Sequence, residues 1–496
     1  MDEAVFEERV PVLTTYQREY LLPIYTQHAP RLYPEITEAS RAHVIMLAEQ
    51  GMIPWERAKS LLRGLQVLRN GGPDLPEYDG TFEDVYFAFE RNLASAAGID
   101  PHSLDVQLAR SRNDLDAGVF RMILRDQLEV VTRAVIAAAT SALDAASRTT
   151  TAVIFGLTHR RPAQPTTLAH ALAGYAEALI GEIKIYNSVL DELQKSPFGA
   201  CAFAGTDLPI SPSRVAELLG FDEQIVNSYE SVAGADHLMA VSFANARSLA
   251  TGARLVRIVQ DWMNWGWIKT QDEFCQGSSI MPQKRNPVVL EHMVSMSGME
   301  SANAASVVNN VSSAWWEDSN NATTDVQITL WESNDRARRF FTLLERIFST
   351  LTVRDLPPVR ELVDNGVTTT AAAEVLSHAG VPFRAAHTVL GKLIRSGVPS
   401  GWDRKAVLET LSAVDSDVEV SDETVDLVIE AARDPRVVLS RVQSDGPGAE
   451  AVESQIRELQ TRVAESLNIV DSRRERISQA NRVLDAAVEA ALQREQ

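Results

Sequence analysis

Apolar residues recur at intervals of three and four over long stretches of this chain, while the period-two alternation of half-buried strands is rare. Residues 40–68 predict two helices broken near Gly51 and Pro54. Residues 116–147 (DAGVFRMILRDQLEVVTRAVIAAATSALDAAS) are alanine-rich and lack proline, which predicts one unbroken helix. The same periodicity returns over 166–193 after Pro165, over 235–268 and over 333–351. Helices this long usually bundle and bury an apolar stripe along their whole span. From Pro357 onward the texture changes to short helices with Gly and Pro breaks, then a polar acidic stretch at 412–423. Ser444 to Gly448 reads as a loop before the last helices. The expectation is an all-α fold in three parts: an N-terminal helical domain at 1–115, a long central bundle at 116–355 and a small helical domain at 356–496. No period of 20–50 residues appears, which argues against a solenoid.

Composition narrows the class. With 45% hydrophobic and 23% charged residues the chain is globular rather than disordered. Its 47 basic and 67 acidic residues leave a formal charge of −20, a poor surface for nucleic acid or an anionic membrane. Small anionic substrates remain possible, because local arginines can line a cleft. Cys201 and Cys275 cannot build a disulfide framework and show no metal-ligand spacing. No uninterrupted apolar run reaches the roughly 18 residues of a membrane span. The opening MDEAVFEERV lacks the basic and apolar regions of a signal peptide, so the expected location is cytoplasmic.

Polar chemistry concentrates in three segments between the long helices. They are Arg110-Ser111-Arg112-Asn113-Asp114, the stretch GLTHRRPAQP from Gly156 to Pro165, and GSSIMPQKRNP from Gly277 to Pro287, with Glu291 just beyond. Read alone, the first fits a helix cap with Asn113 or Asp114 at the N-cap. A single His159 beside two arginines reads as a surface or capping residue. The third is denser, with two serines, a lysine and an asparagine within nine residues and a proline at a helix start.

GSSIMPQKRNP resembles the mobile-loop signature GSSxMPxKxNP of the aspartase/fumarase superfamily at every fixed position. SRND and THRRPAQP resemble the superfamily's other two signatures, in order and spacing. Residues 40–65, 83–93, 205–221 and 434–455 are similar to the argininosuccinate lyase branch in particular. The resemblance implies a three-domain, all-α homotetramer with a tetrameric multi-helix core, which reversibly eliminates fumarate from a succinyl-bearing compound. It implies neither a metal nor a cofactor. By position Ser278 matches the catalytic base, and His159 with Glu291 the histidine–carboxylate pair that assists proton transfer to the leaving amine. Lys284 and Asn286 would hold the carboxylate on which charge accumulates. Ser111, Arg112, Asn113, Thr158, Gln164, Ser279 and Met281 would complete substrate binding.

Elementary chemistry agrees with those roles. Cleaving a C–N bond beta to a carboxylate first removes a weakly acidic carbon-bound proton. The resulting aci-carboxylate is a dianion and needs preorganised donors and cations. A serine becomes a base only where its alkoxide is stabilised, as Lys284, loop amides and a helix N-terminus would do. Geometry adds that a 32-residue helix at 116–147 is roughly 48 Å long. SRND and THRRPAQP then lie at its opposite ends, and a site using both must be shared between subunits.

The likeness stops at the amine-recognising positions. Where argininosuccinate lyases carry a segment like YN-x-D-x-Q-x-D-K, a gap-free reading places Asp318 to Val326 (DSNNATTDV). Gln107 and Tyr86 replace two family histidines, and a loose alignment sets Tyr25 and Ala29 where a pattern like ASIAYD has its serine and aspartate. Trp315, Trp316 and Trp331 flank the divergent segment and are expected in the core. The expectation is a carbon–nitrogen lyase acting on another N-substituted aspartate, an aminopolycarboxylate of the ethylenediaminedisuccinate type being one candidate. The alternatives are an argininosuccinate lyase with substituted contacts and, from another class, an inactive crystallin-like structural protein.

Overall fold

A computed structural model of the chain describes residues 13–71, 75–413 and 419–494. The opening MDEAVFEERV and positions 414–418 of the acidic stretch lie outside the described residues. The fold is mostly helical and is built around long helices. α1 (Leu22–Glu49) and α2 (Trp55–Gly71) break where Gly51 and Pro54 fall, as the periodicity predicts. α1 begins 18 residues earlier than the periodicity suggested, because Pro30 and Pro34 lie inside it without ending it. α3 is Val85–Ala97, capped by Asp84, whose carboxylate accepts from the amides of Tyr86 and Phe87. α4 runs unbroken from Arg112 to Ser147 (Arg112–Ser147).

Then come the longest strands among the described residues. β1 (Val153–Thr158) and β2 (Arg161–Thr167) form an antiparallel hairpin out of the THRRPAQP stretch. α5 (Leu168–Leu193), α6 (Asp236–Asn264), α7 (Val288–Ser313) and α8 (Gln327–Ser349) complete the bundle with α4. Between α6 and α7 the two-residue strands β3 (Gln276–Gly277) and β4 (Arg285–Asn286) close the base of the GSS loop. The last helix, α9 (Ala449–Gln493), is a single 45-residue element where the sequence suggested several shorter ones. It packs along α4 and α5 and contributes Val452, Ile456, Val470 and Leu484 to the main core. Short helices at 369–432 enclose a second apolar cluster of their own, centred on Leu376, Leu393 and Val428.

Helix directions follow from a belt of buried polar contacts. Asn245 of α6 donates to Ser333 Oγ and Asn334 Oδ1 of α8, both at 2.8 Å, and Tyr186 of α5 donates to Asn245 at 2.9 Å. Glu300 of α7 accepts from Ser333 and pairs with Arg336 at 2.7 Å. Asn334 donates to Gln127 of α4, and further along Ser141 donates to Glu345. Such satisfied networks fix register, because any slip strands buried polar groups. Gln127–Asn334 and Ser141–Glu345 set α4 parallel to α8, Asn245–Asn334 with Gly252 against Phe340 does the same for α6, and Tyr186–Asn245 with Glu182–Thr251 runs α5 against α6. By length and hydropathy α4 is apolar enough to cross a membrane, although no uninterrupted apolar run reached that length. It is instead a core helix, flanked by α5, α8 and α9, and it buries Arg121, Arg125 and Glu129.

Candidate active site

SRND starts α4. Its N-cap is Ser111 rather than Asn113 or Asp114: Ser111 Oγ accepts from the Asn113 amide, and Asp114 Oδ1 accepts from the Ser111 amide at 2.9 Å. That reciprocal pair satisfies two otherwise orphaned groups, which is why serine beats asparagine for the cap here. Asp114 is buried and its second oxygen also accepts from the amides of Gly199 and Cys201 at 3.0 and 3.1 Å. Burial nevertheless pushes its carboxyl up to about 6. Asn113 donates to the Ala202 carbonyl at 3.1 Å, so the 199–202 turn and the helix start hold each other.

Arg112 reaches sideways into a cleft of about 460 Å³ shared with Asp116, Asp318, Asn320 and Thr324. Its guanidinium pairs with Asp84 at 2.7 Å and lies over the Phe87 ring, while Nε finds no partner among the described residues. A smaller lobe of about 100 Å³ continues behind Arg112 and Asp116 and is walled by Tyr20, Tyr25, His28 and Tyr86. Desolvation raises Asp116 to about 7 against the opposing pull of Arg112, with Asp84, Asp318 and Asp114 adding to the rise. It raises Asp318 as well. Burial beside Arg31 holds His28 near 4 and therefore neutral. Trp331 is buried edge-on to His28, whereas Trp315 and Trp316 are exposed, against the expectation that they are core. Trp316 instead stacks on Tyr229 at 5.0 Å.

The other two segments occupy the opposite end of the bundle. Thr158 and His159 form the exposed tip of the β1–β2 hairpin, with Gln164 on its second strand. His159 and Arg160 have φ of 50° and 64°, the left-handed pair that a two-residue hairpin turn between Thr158 and Arg161 requires. Arg160 pairs with Asp261 in the last turn of α6, and Phe155 packs edge-on to Trp267. The GSS loop leaves from that same end. Its stem is fixed by the 276–286 and 277–285 strand pairs and by Arg285, which donates to the Asp272 carbonyl. At its start Ser278 Oγ accepts from the amides of Ile280 and Met281 at 3.3 and 3.0 Å. The Lys284 amide closes a turn onto the Met281 carbonyl, and Ser279, Met281 and Lys284 are exposed. α7 opens directly after Pro287, with Asn286 just before it and Glu291 exposed in its first turn.

Within one chain, then, Ser278, Ser279, Met281, Lys284, Asn286 and Glu291 share an end of the bundle with Thr158, His159 and Gln164. Ser111, Arg112 and Asn113 sit at the far end with the divergent 318–325 segment. The 36 residues of α4 separate the two by roughly 54 Å. Sequence reasoning missed Asp84, Asp116 and His28. Asp116 carried a usable signal, since it stands one helical turn after Arg112 on the same face.

The lyase family model matches residues 24–299, more than half of the chain. The argininosuccinate lyase of Haloarcula marismortui is 32% identical over 461 residues, covering 91% of this chain and 89% of that protein. Among solved structures, EDDS lyase in complex with formate superposes with a TM-score of 0.83 at 25% identity, over 97% of this chain and 96% of that one. An EDDS lyase variant with bound fumarate gives 0.82 at the same identity and coverage. The chain belongs to this lyase family, the aspartase/fumarase superfamily, and is a fumarate-forming carbon–nitrogen lyase.

Proposed function

We propose that this lyase eliminates fumarate from an N-substituted L-aspartate, the amine half being that of an aminopolycarboxylate of the ethylenediaminedisuccinate type. The observation that carries the elimination chemistry is Ser278 Oγ under two converging amides, and the likeness to EDDS lyase supports the choice of amine. Two N–H donors stabilise an oxyanion at that atom and so turn a poor base into a usable one. Ser278 removes the proton from the carbon next to the carboxylate. Lys284 and Asn286 meet the dianion that forms, and the C–N bond then breaks as the electron pair leaves with nitrogen. His159, oriented by Glu291, delivers the proton to that nitrogen. Ser111, Arg112, Asn113, Thr158, Gln164, Ser279 and Met281 bind the succinyl part, Arg112 through the guanidinium face that Asp84 leaves free.

Because these groups lie at opposite ends of each bundle, the working unit is a homotetramer whose sites are shared between subunits. α7 supports this. Of its 26 residues only Glu291, His292 and Glu300 are ionisable, and Met299 is 55% exposed on a face rich in Gly, Ser and Ala. A charge-poor helix with such a face suits burial against another copy. A second reading, argininosuccinate lyase, is favoured by the similarity to the Haloarcula enzyme. Following fumarate by ultraviolet absorbance with argininosuccinate and with ethylenediaminedisuccinate separates the two. Turnover of the second alone supports the proposal, and comparable turnover of argininosuccinate overturns it.

A further inference from the structure

The cleft and the inner lobe adjoin, since Arg112, Asp116, Phe120, Asn320 and Thr324 line both. Their charge balance is unusual for a pocket meant to receive a dianion. Glu83, Asp84, Asp116, Asp318 and Asp325 line the two, against Arg110 and Arg112. Asp84 already takes one side of Arg112 and Tyr20 donates to Asp325 at 2.5 Å, whereas Asp116 and Asp318 accept no hydrogen bond among the described residues. An ionised carboxylate in such surroundings is costly unless a cation or donor meets it. The second sign is independent. His28 is only 2% exposed, lines the inner lobe, and its Nε2 has no partner among the described residues. A buried, neutral imidazole nitrogen that lines the same lobe as Asp84 and Asp116, with the Arg31 guanidinium acting on it from one turn further along α1, is an acceptor open to an N–H donor.

We propose that Asp116, Asp318 and His28 form a subsite for a protonated second nitrogen on the amine half of the substrate. The inference rests on the elimination chemistry proposed above and narrows it. In ethylenediaminedisuccinate that nitrogen is the secondary ammonium that bears the far succinyl group. After one elimination the same subsite holds the far ammonium of the mono-succinyl diamine. The reaction balances without a co-reactant. In the addition direction the free amine's lone pair forms the C–N bond at one fumarate carbon. The new C–N nitrogen gives its extra proton to His159, the other carbon takes the proton held by Ser278, and the far ammonium stays bound and unchanged.

The test uses fumarate addition with three amines of matched size: 1,2-diaminoethane, n-propylamine, which replaces the far ammonium by a methyl group, and β-alanine, which replaces it by a carboxylate. The expected order of kcat/KM is diamine over propylamine by 100-fold or more, with β-alanine slowest. Asp318→Asn and Asp116→Asn should each cut the diamine-to-propylamine ratio at least 10-fold, chiefly through KM for the diamine. His28→Phe, which keeps the aromatic packing on Trp331, should lower the same ratio. Equal use of propylamine and diamine, or a ratio unchanged in both aspartate variants, overturns the inference. Calorimetric binding of 1,2-diaminoethane to the wild-type tetramer separates it from the parent reading. Diamine binding lost in Asp318→Asn, without any fumarate consumption, upholds the subsite and overturns the elimination. Fumarate consumption without diamine preference does the reverse.

Discussion

The two ends of the helical bundle are built on different principles. At the loop end, Ser278, Lys284, His159 and Glu291 are carried on short exposed segments, and backbone hydrogen bonds and turn geometry set their positions. At the Arg112 end the working groups are packed into a cleft: Arg112 is pinned by Asp84, Asp116 is raised by desolvation, and Trp331 covers His28. Exposed segments have room to close on a substrate and await a neighbouring surface to complete them. A packed cleft is preformed and can discriminate. On the roles proposed above, chemistry and selection lie at separate ends of one chain, and the proposed assembly of subunits is what would bring them together.

Substitutions at the two ends should therefore fail differently. Ser278→Ala should fold and assemble normally yet lose on the order of 10³-fold or more in kcat, as when an essential proton-transfer group is removed. Steady-state kinetics with thermal unfolding as control checks this, and near-normal turnover would falsify the base assignment. Lys284→Met should cost about as much, because the dianion would form without its cation. At the other end Asp84→Ala removes both the Arg112 partner and the α3 N-cap. KM should rise more than kcat falls, and stability should drop by about 1 kcal/mol from the lost cap. A change confined to kcat would mean that Arg112 is not held by Asp84 in solution.

The smallest effect is on pH. Asp116 has a folded pKa of about 7, above its value in the unfolded chain, so its protonated form favours folding. That contribution is complete below about pH 4, the unfolded carboxylate range, and is lost as pH rises through 7. Asp116→Asn cannot lose it. Its melting temperature relative to wild type should therefore climb between pH 5 and pH 8, by a few degrees at most because the site is partly solvated. A difference that stays flat across that range would show that Asp116 is ionised with no strain.

The same division explains what the sequence disclosed. Loop-end chemistry is local: GSSIMPQKRNP and THRRPAQP are contiguous, and the unbroken periodicity of 116–147 already implied that SRND lay a helix length away from THRRPAQP. Cleft-end chemistry is assembled from α1, the residue before α3, the start of α4 and the 318–325 turn, which are separated by up to about 300 positions. No local pattern links His28 to Asp116 and Asp318. Pro30 and Pro34 hid the first half of α1, because proline is a helix breaker on average although here the helix continues through both. Trp315 and Trp316 were expected in the core from their residue type alone. Their exposure reflects where the α7–α8 connection happens to run.

The central claim is that neither end is a site without another subunit, and it can be measured by mixing. Asn113→Ala chains and Ser278→Ala chains, each inactive alone, are denatured and refolded together, and hybrid tetramers are verified by native mass spectrometry. A shared site needs an intact Asn113 from one chain and an intact Ser278 from another. Random mixing then restores near a quarter of wild-type activity, roughly one half times one half per site. If verified hybrids show no recovery, every site is built within one chain, and the account of the two ends is contradicted.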